Sequence, residues 1–379
     1  MEFICERKEL QGGVSLVERI VATRSTLPII GNILFEAGKN GIRLSANNLE
    51  MGIALNIKAN VTKEGAVLLP AKTLSGIVSK LPDTQVGFKL GENGLVRISY
   101  DQSHFNLHSL PPDEFPALPK VKEGKIFNVD PAVITNMIKQ TIFAVSNSEE
   151  KYVLTGVLVE FGKSNVAGDN STLRMVATDG YRLAKRGEKI EGVGGGESSV
   201  IVPAKALSEI LRVLDGKSGK SAKMTLTNDQ ISLEYEDVYI VSRIIQGQFP
   251  DYKQVIPKKS SIKVILGTKE FLEAAERAAV VASGSANITR FEVKSGKLIL
   301  SASTPDVGNI DEVLKAEVKG GEKTQVSFNI RLITDALRVI NTEKVALEMN
   351  EGLSPGVLRP EGAGDYTYIV MPIRTQEAA

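Results

Sequence analysis

Tryptophan is absent from the 379 residues, cysteine occurs once and histidine twice. A lone thiol, Cys5, excludes an intrachain disulfide framework and a metal site built from cysteines alone. It fits a reducing compartment, so a cytoplasmic location is expected. No stretch approaches the roughly 20 consecutive apolar residues of a membrane span. The opening residues, MEFICERKEL, lack the apolar core of a signal peptide. Net charge is also nearly missing, since 46 basic side chains face 45 acidic ones. No global field draws the chain onto an acidic partner, and any anion-binding role must come from local segregation of charge.

Catalytic motifs come close and fail. Gly216–Ser221, GKSGKS, would be the end of a phosphate-binding loop only if position 214 were glycine, and it is leucine. The glycine-rich run at 192–196 ends in Glu197, where a dinucleotide fingerprint needs Gly or Ala. His104 and His108 share one face of a strand, but no acidic or cysteine ligand follows at metal spacing. Acid pairs such as Asp113–Glu114 lie in polar, proline-rich segments, where solvated carboxylates are the default. The expectation is a protein that is not an enzyme and needs no cofactor or metal.

What is present is repetition. Val200–Leu214, VIVPAKALSEILRVL, reads as a short strand, a proline at the first helical turn, and an amphipathic helix with Leu207, Ile210, Leu211 and Leu214 on one face. Val67–Leu81, VLLPAKTLSGIVSKL, repeats it with Leu74, Ile77, Val78 and Leu81. Val326–Ile340 repeats it more weakly with Ile333, Ala336, Leu337 and Ile340. Each third also opens with a longer helix, predicted over Leu10–Arg24, Pro131–Val145 (capped by Asp130) and Lys269–Ala282 (capped by Thr268). Alternating strands follow, including IRLSA, LRMVA and LILSA at matching places, and hairpins at Leu95–Leu110 and Met224–Tyr235. Leu110–Lys125 and Phe249–Ser261 read as linkers, and 162–171 and 192–196 as surface loops. The predicted domains are 1–126, 127–259 and 260–379, of α+β class, each with two helices backed by antiparallel sheets.

Four markers in order, on this three-fold plan, resemble one family. They are Thr26–Ile33 (TLPIIGNI), Ala177–Ala184 (ATDGYRLA), Phe249–Tyr252 (FPDY) and Tyr368–Arg374 (YIVMPIR). The chain is similar to the bacterial sliding clamps, the β subunits of DNA polymerase III, over essentially its whole length. The resemblance implies a head-to-tail homodimer that closes as a ring of six similar domains around duplex DNA. Helices would line the hole. Partners would be duplex DNA without sequence preference, the polymerase III α subunit, the clamp loader, and other polymerases and repair proteins that dock by short linear motifs. The alternatives are a repeat-built interaction scaffold that never binds nucleic acid, and a hydrolase using paired carboxylates.

Cations for the hole are expected at Arg19, Arg24, Lys72, Lys80, Lys139, Lys205, Arg212, Lys269, Arg277, Arg331 and Arg338, all on the paired helices. Lys72, Lys205 and Arg331 hold the same repeat position, which points to a shared surface. No aromatic interleaves with them, so contact with phosphate rather than stacking on bases is predicted. The resemblance also implies a peptide cleft between the second and third domains. Its residues would be Leu154, Thr178, Gly180, Tyr181, Arg182, Leu183, Pro250, Val255, Ile369, Met371, Pro372, Ile373 and Arg374. Gln254 stands where some clamps carry Arg, and Thr375–Ala379 runs past the last cleft residue. At the subunit joint, Phe105 and Leu107 of one chain would meet Val280 and Val281 of the next.

Overall fold

The structure is a computed structural model that describes residues 1–22, 27–121, 123–162, 172–190, 198–321, 323–350, 353–362 and 364–374. Six α-helices lie among them: α1 Arg7–Glu18, α2 Ala71–Val78, α3 Pro131–Thr141, α4 Ala204–Leu214, α5 Thr268–Ala282 and α6 Ile330–Leu337. The predicted pair in each third is therefore present, and every other regular element is a strand or a short 3₁₀ segment. None of the helices is long and apolar enough to cross a membrane.

The helix boundaries correct three expectations. The first helix does not reach Arg24 but ends at Glu18. Ile20 and Val21 donate to Val17 and Glu18, three residues back, which tightens the chain out of the helix and turns Ile20 into the core. Arg24 itself, with Thr26, lies outside the described residues. The second helix ends at Thr141, whose hydroxyl donates to the Met137 carbonyl at 2.8 Å, and a 3₁₀ turn Ile142–Ala144 follows. Thr268 does not cap the third helix; Gly267 holds that place and Thr268 is a buried first residue.

Pro70 and Pro203 also sit one place earlier than predicted. Each ends a strand, paired with Asn32 and Gly156 respectively, and the helix begins at the following alanine. Pro70 is thus the N-cap. Asn329 occupies the third copy of that position and does what proline cannot, since its side chain accepts from the Arg331 N–H at 3.0 Å.

The chain gathers into two compact units. The first comprises Met1–Pro131 with Arg212–Ile244, the second Ala132–Leu211 with Ile245–Ala379. The first holds a five-stranded antiparallel sheet whose terminal strand is Ser103–His108, and an eight-stranded sheet in which Met51–Ile57 pairs with Val238–Arg243. The second holds a four-stranded sheet ending on Gly308–Lys315, and a nine-stranded sheet in which Arg182–Glu188 pairs with Asp365–Val370. The middle third supplies strands to both units, because each of its sheets is continued by strands of another third. The amphipathic faces are buried as the spacing requires: Leu74, Val78 and Leu81; Leu207, Ile210 and Leu214; Ile333, Ala336, Leu337 and Ile340. Ile77 and Leu211 are half-buried. The predicted loops at 163–171 and 192–196 lie outside the described residues.

Candidate functional site

In the second unit, the ladder of Arg182–Glu188 with Asp365–Val370 sets Leu183 opposite Ile369 and Arg182 opposite Val370. Leu183 and Ile369 are buried in one apolar cluster with Leu158, Val176, Ile201, Ile245, Tyr252 and Val357. That cluster is a floor, and the ladder's end carries the rim. Met371 donates its N–H to the Tyr181 carbonyl at 2.9 Å, so the strand continues one bond past its formal end. The turn before it is fixed by side chains. Gly180 donates to Thr178 Oγ1 (3.1 Å), while Tyr181 and Arg182 donate their N–H groups to Asp179 Oδ1 (2.8 and 3.1 Å). Gly180 stands at φ +94°, where a side chain is disfavoured.

Three rim residues are unusually open for their type: Tyr181 is 65 % exposed, Val255 43 % and Met371 39 %. Val255 lies on the 3₁₀ turn Tyr252–Val255, anchored because Tyr252 is buried in the floor and its hydroxyl donates to Glu160 Oε2 at 2.7 Å. Thr178, Pro372 and Ile373 are half-buried, Leu154 is buried, and Gly180, Pro250 and Arg374 are exposed. Ile373 donates to the Ser327 carbonyl (2.8 Å), which holds the chain after the ladder. Gln254 is turned to Asp251, donating to Oδ2 at 3.0 Å. Thr375–Ala379 lies outside the described residues. The arrangement is a buried apolar cluster beside which Tyr181, Val255 and Met371 stay exposed.

Arg182 differs from the other residues expected in the cleft in that its side chain is held by several partners. It bonds Asp179, Asp335 and the Phe143 carbonyl, and its guanidinium lies 5.3 Å from the Phe143 ring centroid. Sequence reading missed Asp179, Asp335 and Lys151, whose Nζ lies 5.2 Å from the Tyr181 ring centroid. Asp179 was findable, since Thr-Asp-Gly before a strand is a side-chain-capped turn. Asp335 was not.

The first unit carries an internal counterpart. Arg243 donates to the Glu50 carbonyl at 2.8 Å, as Met371 does to that of Tyr181, and Leu49 at φ +75° takes the place of Gly180. Gly52 pairs with Val241 where Leu183 pairs with Ile369. A Cβ at Gly52 would overlap the Leu118 methyl, so the linker covers this floor with its own side chain. Asn47 Nδ2 donates to the Pro116 carbonyl (3.1 Å) and pins that segment.

The described cations assigned to the hole are all exposed: Arg19, Lys72, Lys80, Lys139, Lys205, Arg212, Lys269, Arg277, Arg331 and Arg338. Among the described residues, Lys72, Lys80, Lys205 and Arg331 form no ion pair. Three others do. Arg277 holds Glu312 with two bonds of 2.7 Å, Arg338 holds Glu276 at 2.9 Å, and Lys269 is 3.8 Å from Glu273. Arg277 and Glu312 stabilise each other's charged forms, the carboxyl falling below its usual range. Glu209, on α4 near Lys205 and Arg212, is buried.

The residues expected at the joint lie on a terminal strand of the first unit and on α5 of the second. Phe105 and Leu107 share the half-buried face of the terminal strand Ser103–His108, while His104 and His108 are on its exposed face. In the second unit, Val280 is 69 % exposed and Val281 is half-buried on α5, which packs beside the terminal strand Gly308–Lys315.

Comparison with known proteins covers the whole chain. Models of the DNA polymerase III beta subunit match in order: the N-terminal domain at residues 1–119, the central domain at 128–251 and the C-terminal domain at 253–374. The chain is 34 % identical to a beta sliding clamp of Synechocystis, and 30 % identical to that of Bacillus subtilis, each over 99 % of this chain and at least 99 % of the relative. Among solved structures it is similar to the DNA polymerase sliding clamp of Bacillus subtilis, with a TM-score of 0.92, 28 % identity and 99 % of both chains covered. A DNA polymerase III beta subunit of Thermotoga maritima gives a TM-score of 0.89 at 30 % identity, again with 99 % of both chains covered.

Proposed function

The chain belongs to the DNA polymerase III beta subunit family, and on that premise we propose that it is a ring-forming processivity factor. Two chains join head to tail around duplex DNA, slide without sequence preference, and tether a polymerase through the cleft at the second domain joint. Domains break near 126 and 260. The chain works in the cytoplasm, catalyses nothing, and takes no cofactor. Besides itself and DNA, its partners are the polymerase α subunit, a clamp loader and repair proteins carrying short motifs. A scaffold that ignores nucleic acid is not favoured, because the relatives that match end to end are clamps.

The DNA face is read from the exposed cations on, or within two residues past, α1 to α6, with Lys72, Lys205 and Arg331 at one repeat position. Arg24 is assigned with them from the sequence. The contact is with phosphate, which carries no base information. Topology provides retention, so weak contacts suffice and permit sliding. The joint is read from two terminal strands, Ser103–His108 and Gly308–Lys315, whose pairing across chains would remove both edges. Phe105, Leu107, Val280 and Val281 would be covered there.

The observation that carries the docking role is the exposed trio Tyr181, Val255 and Met371 around the Leu183–Ile369 floor. Met371→Ala with Pro372→Ala flattens that rim at a cost of about 1–3 kcal/mol, the range of ordinary hot spots. That is roughly ten- to a hundred-fold in affinity. A fluorescent pentapeptide of the Gln-Leu-x-Leu-Phe type, titrated against parent and variant, reads the loss. Equal affinities in a variant that is still dimeric would place the cleft elsewhere.

A further inference from the structure

The Gly180–Tyr181 rim is held from behind the cleft. Asp179 accepts two backbone N–H groups of the turn, so the rim keeps its shape only while that carboxylate stays in place. Its Oδ2 is fixed by Arg182 Nε at 3.1 Å. The same guanidinium reaches the Phe143 carbonyl from Nη2 and Asp335 Oδ2 from Nη1, both at 2.6 Å. Only 11 % of the Arg182 side chain is exposed, so water screens these contacts poorly. A planar fork with separately directed donors serves three partners at once, which a lysine could not.

Asp335 is a residue of α6 and lies outside the set assigned to the cleft. Its Oδ1 is 3.9 Å from Arg338 Nη1, and Arg338 is held in turn by Glu276 of α5. One carboxylate therefore stands between a largely buried cation that shapes the peptide rim and an exposed cation assigned to the DNA face. We infer that Asp335 is a positioning residue for the cleft, acting through Arg182, and that it couples peptide docking to phosphate engagement by Arg338.

This coupling rests on the cleft and DNA face proposed above and adds their regulation. A phosphate that engages Arg338 offsets its charge and draws it from Asp335, leaving the carboxylate's field to Arg182. The rim is then held more firmly and loses less freedom when a peptide docks, so affinity rises. Linkage makes the effect reciprocal: bound peptide strengthens the hold on DNA by the same factor.

The test is a titration of the fluorescent pentapeptide into the full-length dimer, with and without saturating short duplex DNA at low salt. Parent, Asp335→Asn and Arg338→Ala are compared. The parent should bind peptide roughly two- to five-fold more tightly with DNA, the scale of a partly exposed ion pair. Asp335→Asn should bind more weakly than the parent and equally with and without DNA. Arg338→Ala should also lose the DNA dependence, yet bind at least as tightly as the DNA-free parent. A merely structural role for Asp335 would weaken binding but leave the DNA-dependent ratio unchanged, and that result would overturn the inference. So would a parent with equal affinities in both states. A parent that binds no peptide at all would instead overturn the cleft assignment beneath it.

Discussion

Cys5 shows how far one side chain can be read from its surroundings. It is buried in the first strand, and desolvation, then Glu6 and Glu9, push its thiol up to about 12. A thiol that stays protonated does not attack. The native protein at pH 8 should react with a thiol reagent only after unfolding in urea; rapid modification of the native chain would contradict the burial. The sign for stability follows. The unfolded chain releases this proton near the ordinary value of 9.0 while the folded chain keeps it. The stabilisation is fully present below that pH and is lost as pH rises toward 12. Roles built from distant residues were not legible at this scale. Leu183 and Ile369 were assigned to the cleft by the resemblance alone, and only the ladder sets them opposite each other. Arg182 read as a cleft residue, and its hold on Asp335 needed coordinates because the two are far apart in sequence.

At the scale of elements, periodicity located all six helices, and the buried faces followed from it. Helix ends did not, because tertiary contacts decide them. Ile20 turns inward and closes α1 early, and Pro70 and Pro203 complete strands before their helices start. The repeat position two residues beyond these caps was legible, and it carries Lys72, Lys205 and Arg331. Replacing Lys205 and Arg331 together by Glu removes cations that form no ion pair among the described residues, so the charge change should be felt by DNA. Residence on nicked circles should fall, and the salt slope should flatten by about 0.9 per lost phosphate contact. Sequence preference should stay absent. If the double variant behaves like the parent across a salt series, these helices do not face the duplex. Arg277 is a poorer test, since Glu312 already holds it at 2.7 Å.

At the scale of the molecule, the sequence marked three repeats, while the chain packs as two units that divide the middle third. Sheets continued from one repeat into the next explain the difference, and pairing partners cannot be read from composition or period. The terminal strands Ser103–His108 and Gly308–Lys315 are the elements proposed to meet at the joint. Val280→Ala with Val281→Ala removes apolar area that the joint would cover, at about 25 cal/mol per Å². Sedimentation should show the dimer shifting toward monomer at nanomolar concentration. An unchanged dimer would remove those two residues from the joint.

Encirclement is a topological property, and retention on DNA of different shape tests it most directly. Labelled protein is loaded onto a nicked circular duplex, half of the sample is cut once to make it linear, and both are passed through a sizing column. A closed ring stays with the circle and slides off the cut ends, since its phosphate contacts alone are too weak to hold it. Equal retention on circle and line, or loss from both, would contradict an encircling clamp.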